Sequence, residues 1–367
     1  MTQISIIGDI FGASGYARHT RGLANGLNEI GCDVRIESNL VPQWEREVND
    51  FELNAIGKQF DSNATTIMIS QPPAWRIGLA QKPKHFFGFC VWEGQEIPSY
   101  WLPYLADKRV DKILVPSKHT KQAILNTVNK NYSWMSLIKN KIVIIPHGYD
   151  NAKYYPEEIK KDKFTFIANK GWSQGEFDRG GIQFLLRAYL EEFTNKDNVQ
   201  LKLKINPAYN PPGWKFNDEC KKIGIVKKDS MPDLLLAEGF LDDNGLRQFY
   251  NEGDIFVSTS MAEAFNLPCL EAMACGVPVI APAFGGQSDF VNNTNGWLLK
   301  EGTIGVFSQE LQYEEIQWFK LDIKEIRSKL RLAYNNRKRT GNKVKKALET
   351  ASKYTWIHSA KKLKEFF

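Results

Sequence analysis

The chain has 367 residues, of which 43% are hydrophobic and 25% charged, a composition that excludes a wholly disordered polymer and, at roughly 150 residues per domain, argues for two domains. No apolar run approaches the roughly 18 to 20 residues of a membrane-spanning helix, no leader-like order of basic, apolar and cleavage regions follows Met1, and five scattered cysteines (Cys32, Cys90, Cys220, Cys269, Cys275) show no C-x-x-C spacing, so a cytoplasmic protein with reduced thiols and no zinc site is expected. The net charge of +6 is uneven: residues 320–367 hold fifteen Lys/Arg against four Asp/Glu, a local +11 that leaves −5 for the rest.

Short apolar strands alternate with helices along the chain. Residues 4–7 read as a buried strand, 8–15 as a glycine-bearing loop, and 16–30 as an amphipathic helix with Ala17, Leu23, Ala24, Leu27 and Ile30 on one side. Strands are expected over 32–36, 66–69, 86–91, 112–115 and 142–145, with Ser117 capping a helix that begins at Lys118. A polar stretch, 150–163, reads as a linker. The alternation then restarts: strand 164–168, helix 182–193, strand 199–205, an irregular stretch over 207–213, strand 234–240, helix 244–250, strand 255–258, a helix near 268–274 and strand 277–281. This is the pattern of parallel sheets covered on both faces, in two Rossmann-like lobes facing a central cleft, with a ligand at the carboxyl ends of the strands. The lobes are expected over 1–153 and 156–350. In the basic segment, Ile323, Ile326, Leu330 and Tyr334 recur at helical spacing, which favours a solvated helix face over a surface for anionic membrane or nucleic acid.

Two stretches can carry chemistry. Gly8-Asp9-Ile10-Phe11-Gly12-Ala13-Ser14-Gly15 follows the first strand, where glycines let backbone amides approach a ligand and a helix N-terminus favours an anion. Its spacing is neither G-x-G-x-x-G nor G-x-x-x-x-G-K-[ST]. Far more specific is the run from Ser258 to Pro278, which contains Glu263, Pro268 at a helix start and Glu271. Carboxylates accept hydrogen bonds from vicinal hydroxyls while helix-start amides hold phosphate, and a nucleotide-sugar presents both groups; Glu271 alone could also merely complement the helix dipole.

The run from Glu263 to Ala281 resembles the signature of retaining family-4 glycosyltransferases of the GT-B fold: a Glu, seven intervening residues, a second Glu, then Ala-Met-Ala-x-Gly-x-Pro-Val. The resemblance extends to residues 144–150 (a lobe junction), to 239–258, and to a terminal helix over 355–367 that crosses back onto the N-terminal lobe. It implies that Glu271 binds the donor ribose and that Glu263 contacts the transferred sugar near the reacting carbon. Backbone amides of Phe265, Asn266 and Leu267 would face sugar and phosphate, and Gly12 or Gly15 would place amides at the diphosphate. Lys170 and Arg179 are the cationic candidates for the diphosphate, at a longer interval than the family's Arg and Lys, and Asn266 stands where a Gly is usual. The segment Cys90-Val91-Trp92-Glu93 resembles a Trp-Glu variant branch, in which Glu93 faces the acceptor hydroxyl and Trp92 or Trp101 forms a stacking wall for a sugar; a core Trp92 and a loop charge at Glu93 are equally good readings.

The function implied is retaining transfer of a sugar from a UDP- or GDP-sugar to an acceptor left open among glycan, lipid-linked sugar, protein and modified DNA base. No cofactor or metal is expected, since no Asp-x-Asp pair stands beside a strand, and no residue stands out as a covalent nucleophile. The alternatives are another nucleotide-sugar enzyme of this fold, such as a 2-epimerase, and a non-catalytic carbohydrate- or nucleic-acid-binding protein using basic 320–367. The same segment leaves open a peripheral contact at the inner membrane face.

Overall fold

Apolar strands of three to seven residues, separated by helices, pair in parallel because each crossover is long enough to return to the same sheet edge. The computed structural model describes residues 2–38, 48–59, 61–206, 210, 212–226, 228–237, 239–307, 316–337 and 340–367. The chain divides into two units, one formed by 1–150 with 354–367 and the other by 151–353.

In unit 1 the strands are β1 (Gln3–Ile7), β2 (Asp33–Glu37), β3 (Thr65–Ile69), β4 (His85–Phe89), β5 (Lys112–Val115) and β6 (Ile142–Ile144), in the order β2-β1-β3-β4-β5-β6. All pairings are parallel, with Ile4 opposite both Val34 and Thr65. Helix α1 (Gly15–Glu29) starts where the Ser14 hydroxyl accepts from the Ala17 amide at 3.1 Å and buries Ala17, Leu23, Ala24 and Leu27. Helix α2 (Lys118–Lys130) is capped by Ser117 through the Thr120 amide. A short helix, Asp50–Ile56, carries an Asn49/Glu52 capping box that sequence periodicity does not reveal.

Unit 2 holds β7 (Phe164–Lys170), α3 (Ile182–Glu192), β8 (Val199–Ile205), β9 (Asp233–Ala237), α4 (Asp243–Asn251), β10 (Ile255–Val257), α5 (Leu267–Ala274), β11 (Val279–Pro282) and β12 (Gly296–Leu299). The strand order β12-β11-β10-β7-β8-β9, again all parallel, reverses direction between β7 and β10. That is the doubly wound topology, and its reversal point leaves a crevice at the carboxyl ends of β7 and β10. Two further strands, β13 (Gly302–Val306) and β14 (Gln317–Leu321), form an antiparallel ribbon with Ile304 opposite Phe319. Helices α6 (Ile323–Asn335) and α7 (Gly341–Ala351) follow.

Of the irregular stretch 207–213, only 210, 212 and 213 are described. The expected linker is tied down on unit 2: Tyr154 is buried beside Tyr250, the Arg247 guanidinium lies 4.5 Å from the Tyr155 ring, and Glu157 pairs with Arg247. In the basic segment, α6 buries Ile326, Leu330 and Ala333. Its arginines are engaged on unit 2, Arg327 with Glu191 and Glu192, and Arg331 with Glu192, Asp197 and the Phe193 ring. Lys338 and Arg339 lie outside the described residues.

Helix α8 (Trp356–Lys364) completes unit 1. Its lead-in pairs with the end of the β6 region through Tyr149 N to Tyr354 O (2.9 Å), and Ser359 donates to Pro146 O at 2.6 Å. Close approach of α1 and α8 depends on two glycines one turn apart. A Cβ on Gly22 would stand 2.1 Å from the Trp356 ring, and one on Gly26 2.5 Å from the Trp356 carbonyl oxygen. Beneath them His19 is 1% exposed, its ring 4.2 Å from Phe89 and from His147 and stacked at 5.7 Å on Trp356.

Candidate active site

The loops after β7 and β10 leave adjacent strands at the reversal point, so their side chains meet. Lys170, the last residue of β7, donates to Glu263 Oε1 at 2.5 Å and to Asn266 Oδ1 at 3.1 Å. Both members of this ion pair are largely withdrawn from water, with side chains 9% and 16% exposed. Burial alone would push the Glu263 carboxyl up; the nearby charges of Lys170 and Arg179 outweigh it and hold the group below the usual carboxylate range.

The loop from 171 to 181 is latched to the loop from 258 to 262. Arg179 Nη1 donates to Ala262 O at 2.8 Å, Met261 N to Arg179 O at 2.9 Å, and Thr259 Oγ1 to Gly181 O at 2.8 Å. The organiser is Asp178, whose carboxylate accepts from the amides of Ser173 (2.9 Å) and Gly180 (2.8 Å). Burial pushes the Asp178 carboxyl up against the pull of those amides and of Arg179. Gly286 N donates to Glu263 O at 2.7 Å and fixes the backbone on the other side.

Asn266 holds φ +75°, a left-handed conformation that costs an L-residue with a side chain about 1 kcal/mol or more. That accounts for the glycine usual at this position in the family the sequence resembles. Here the amide side chain is retained in a network, donating to Ser258 Oγ at 2.9 Å and accepting from Lys170. Phe265 is buried with its ring 5.1 Å from Phe290, and Leu267 opens α5 with Pro268 in the first turn. Glu271 is 3% exposed and its Oε2 accepts from the Tyr250 hydroxyl at 2.7 Å, while that hydroxyl accepts from Asn169 Nδ2 at 3.0 Å. Thus Lys170, Arg179, Glu263 and Asn266 come together, and Glu271 belongs to a second cluster with Tyr250 and Asn169. The aromatic periodicity of α4 disguises Tyr250 as plain core, and Asp178 shows only as a turn residue before two glycines.

In unit 1 the glycine loop is held by Asp9. The amides of Phe11 and Gly12 both donate to Asp9 Oδ1 at 3.2 Å, the Ser14 hydroxyl donates to Oδ2 at 3.2 Å, and Arg21 Nη1 donates to Gly12 O at 3.0 Å. Gly15 is the first residue of α1, with open space where a Cβ would stand. Glu93 lies half-buried in the loop after β4, its carbonyl oxygen 2.8 Å from His119 Nε2. One expectation is corrected here. Trp92 and Trp101 form no exposed wall: both are at most 1% exposed, their rings pack edge-to-face at 4.8 Å, and Trp92 Nε1 donates to Glu96 O at 2.6 Å. The sequence between β4 and α2 is apolar enough to bury both indoles. Among the described residues, no helix is long and apolar enough to cross a membrane.

Residues 173–330 match the family model Glycosyl transferases group 1. A protein of Sulfolobus islandicus filamentous virus (isolate Iceland/Hveragerdi) that is named as a glycosyltransferase is 22% identical over 98% of this chain and 92% of its own length. Among solved structures, Anabaena HepE in complex with UDP and glucose superposes with a TM-score of 0.71 at 14% identity, covering 100% of this chain and 99% of that one. Sucrose-phosphate synthase from Thermosynechococcus elongatus gives 0.67 at 17% identity, covering 100% and 98%. The chain is therefore similar to group 1 glycosyltransferases through most of unit 2, and its fold is that of two Rossmann-like units of the GT-B class.

Proposed function

We propose that this chain is a retaining glycosyltransferase that moves a sugar from a UDP- or GDP-sugar to an acceptor hydroxyl and needs no divalent metal. The observation that carries this reading is the Lys170–Glu263 pair at the reversal point of the unit 2 sheet, backed by Arg179 and by the start of α5. An ionised carboxylate at Glu263 suits the electron-poor sugar carbon of the transition state, and Lys170 with Arg179 offsets the charge gathering on the leaving diphosphate. In this reading the bond from sugar carbon to diphosphate oxygen breaks, a bond to the acceptor oxygen forms on the same face, and the acceptor proton passes to the departing phosphate. Amides of Phe265, Asn266 and Leu267 face sugar and phosphate, Glu271 takes the ribose hydroxyls, Gly12 or Gly15 supplies an amide to the diphosphate, and Glu93 faces the acceptor hydroxyl. UDP-sugars lead the donor list because the Anabaena protein of the same fold was solved with UDP and glucose.

The test is release of nucleoside diphosphate from a panel of UDP- and GDP-sugars, with and without EDTA, followed by NMR of the product's anomeric proton. Release that persists in EDTA with a retained anomeric configuration supports the reading. An inverted product sinks the retaining assignment, and binding of a nucleotide-sugar without any release sinks the enzyme.

A further inference from the structure

Among the described residues, the two six-stranded sheets end on four edge strands, β2, β6, β9 and β12, and three of these are protected against further pairing. β2 presents the charged Asp33, Arg35 and Glu37, and β6 is only three residues long. On β12, Leu298 N donates to Asn293 Oδ1 at 3.3 Å and Gly296 O accepts from Lys343 Nζ at 2.8 Å. The fourth edge, β9, has none of these devices. It reads Asp233-Leu234-Leu235-Leu236-Ala237, not one of its residues is buried, and Leu235 is 44% exposed. On the opposite face, Leu234 and Leu236 line a pocket of about 1430 Å³. Apart from the ladder with β8, no hydrogen bond reaches the backbone of 234–237 among the described residues. A bare edge of leucines is a template for another strand.

The edge complements itself. When β9 is laid antiparallel on a second β9 with Leu235 on the two-fold axis, Leu235 faces Leu235, Leu234 faces Leu236, and Asp233 faces Ala237. Leucine then meets leucine on both faces of the sheet, and no like charges oppose each other across the strands. The reversal also matches the ends. Before the strand stand Val226, 63% exposed, and Lys228, whose exposed ammonium has no acid partner among the described residues. After it stand Phe240, 51% exposed, and Asp242, whose Oδ1 accepts from Gly245 N at 2.7 Å while its other oxygen has no partner among the described residues. Lys228 and Asp242 each lie seven residues from Leu235, on opposite sides, so the two-fold carries the cation of one copy towards the acid of the other. A foreign strand could use the same backbone groups, but a reciprocal match of both ends belongs to a copy of this chain.

We propose that β9 is the interface of a homodimer: two copies of this chain pair antiparallel through β9, with Leu235 on the axis, and join their six-stranded unit 2 sheets into one of twelve strands. The pairing closes the unprotected edge and covers Val226, Leu235 and Phe240. The inference goes beyond the glycosyltransferase reading and does not depend on it.

The test is sedimentation equilibrium of the intact chain over a concentration series, alongside Leu235→Lys and Lys228→Glu, with thermal melting of each. The unaltered chain approaches twice the monomer mass as its concentration rises. Leu235→Lys sets two ammonium groups against each other on the axis and weakens the dimer at least about tenfold. Lys228→Glu, a change on the surface, weakens it as well. A cross-link reports the register. Facing residues of antiparallel strands have Cβ atoms about 4.5–5.5 Å apart, and all five native cysteines are buried. Leu235→Cys therefore gives a disulfide-linked dimer under mild oxidation, whereas Thr303→Cys, exposed on β13, does not. A chain that stays monomeric at every concentration overturns the inference. So does a dimer indifferent to Lys228→Glu and Leu235→Lys, or one in which Leu235→Cys links no better than Thr303→Cys, since either places the contact elsewhere. If Leu235→Lys melts early, Lys228→Glu and the cross-link decide.

Discussion

The pair Lys170–Glu263 illustrates how a site can be fragile in its halves. Each group was withdrawn from water on condition that the other is there, so removing one leaves an uncompensated charge behind. Lys170→Met and Glu263→Gln are each expected to lower the urea midpoint by more than the double variant does, a coupling of order 1–3 kcal/mol, while all three lose donor turnover. Strictly additive midpoints would show that solvent, not the partner, satisfies these groups. The second cluster makes a similar point about a neutral donor. Tyr250→Phe takes away the buried hydroxyl that Glu271, also buried, accepts from and that half-buried Asn169 donates to. A loss of about 1–3 kcal/mol in denaturant unfolding is expected, and a loss within experimental scatter would mean that water enters the cluster.

At the scale of elements, the contact of α1 with α8 is set by what Gly22 and Gly26 lack. Gly22→Val drives a branched Cβ into the Trp356 ring, so α8 is expected to lift away and the amides of 356–364 to exchange with solvent orders of magnitude faster, with β1–β6 otherwise protected. Slow exchange across α8 in that variant would show that α1 can shift instead. The two glycines were readable in the sequence only as breaks in an amphipathic pattern, because a packing partner as distant in the chain as Trp356 leaves no local trace. The strands β1, β3, β5 and β10 were legible as short, mostly apolar runs, and β8 as a strict apolar-polar alternation. The ribbon β13–β14 was not: Gly302-Thr303-Ile304-Gly305-Val306 has too few apolar residues to alternate, and Gly302 and Gly305 dilute its β-propensity. In the site, the motif residues Glu263 and Glu271 stood out, whereas Tyr250 acts through Asn169 on β7 and Glu271 on α5, far from it in the chain. Such partnerships become visible only once register is known. The tryptophans read both ways in the sequence, as a platform for a sugar or as core, and the structure packs Trp92 and Trp101 against each other in the interior.

For the whole molecule, the two units carry different acid sensitivities. Burial pushes the ring of His19 well below its ordinary 6.5, with His147 adding to the shift, and takes His147 down to about 3. Both rings are neutral when folded, and the unfolded chain binds protons on them once the pH falls below about 6.5. Stability from this source is complete above that value and drains as the pH drops toward 3, by up to about 1.4 kcal/mol per pH unit for each ring. Hydrogen exchange at pH 5 against pH 7.5 should therefore loosen unit 1 first, around α1, Pro146–Gly148 and α8, and His19→Phe should blunt the effect. Equal loosening of both units would trace acid lability to something else.

The return of residues 354–367 to unit 1 also dictates an order of events during synthesis. A ribosome delivers residues 1–150 first, yet these meet the strand of chain that covers α1 only after 151–353 have emerged. Unit 2 is contiguous and can collapse as soon as it is out, while the earlier-made unit waits with the groove over Gly22 and Gly26 bare. The half made first is thus the half finished last. A chain exposed only as far as residue 353 would display an intact second half beside a first half whose apolar groove is open to chaperones, and the arrival of residues 354–367 would close it.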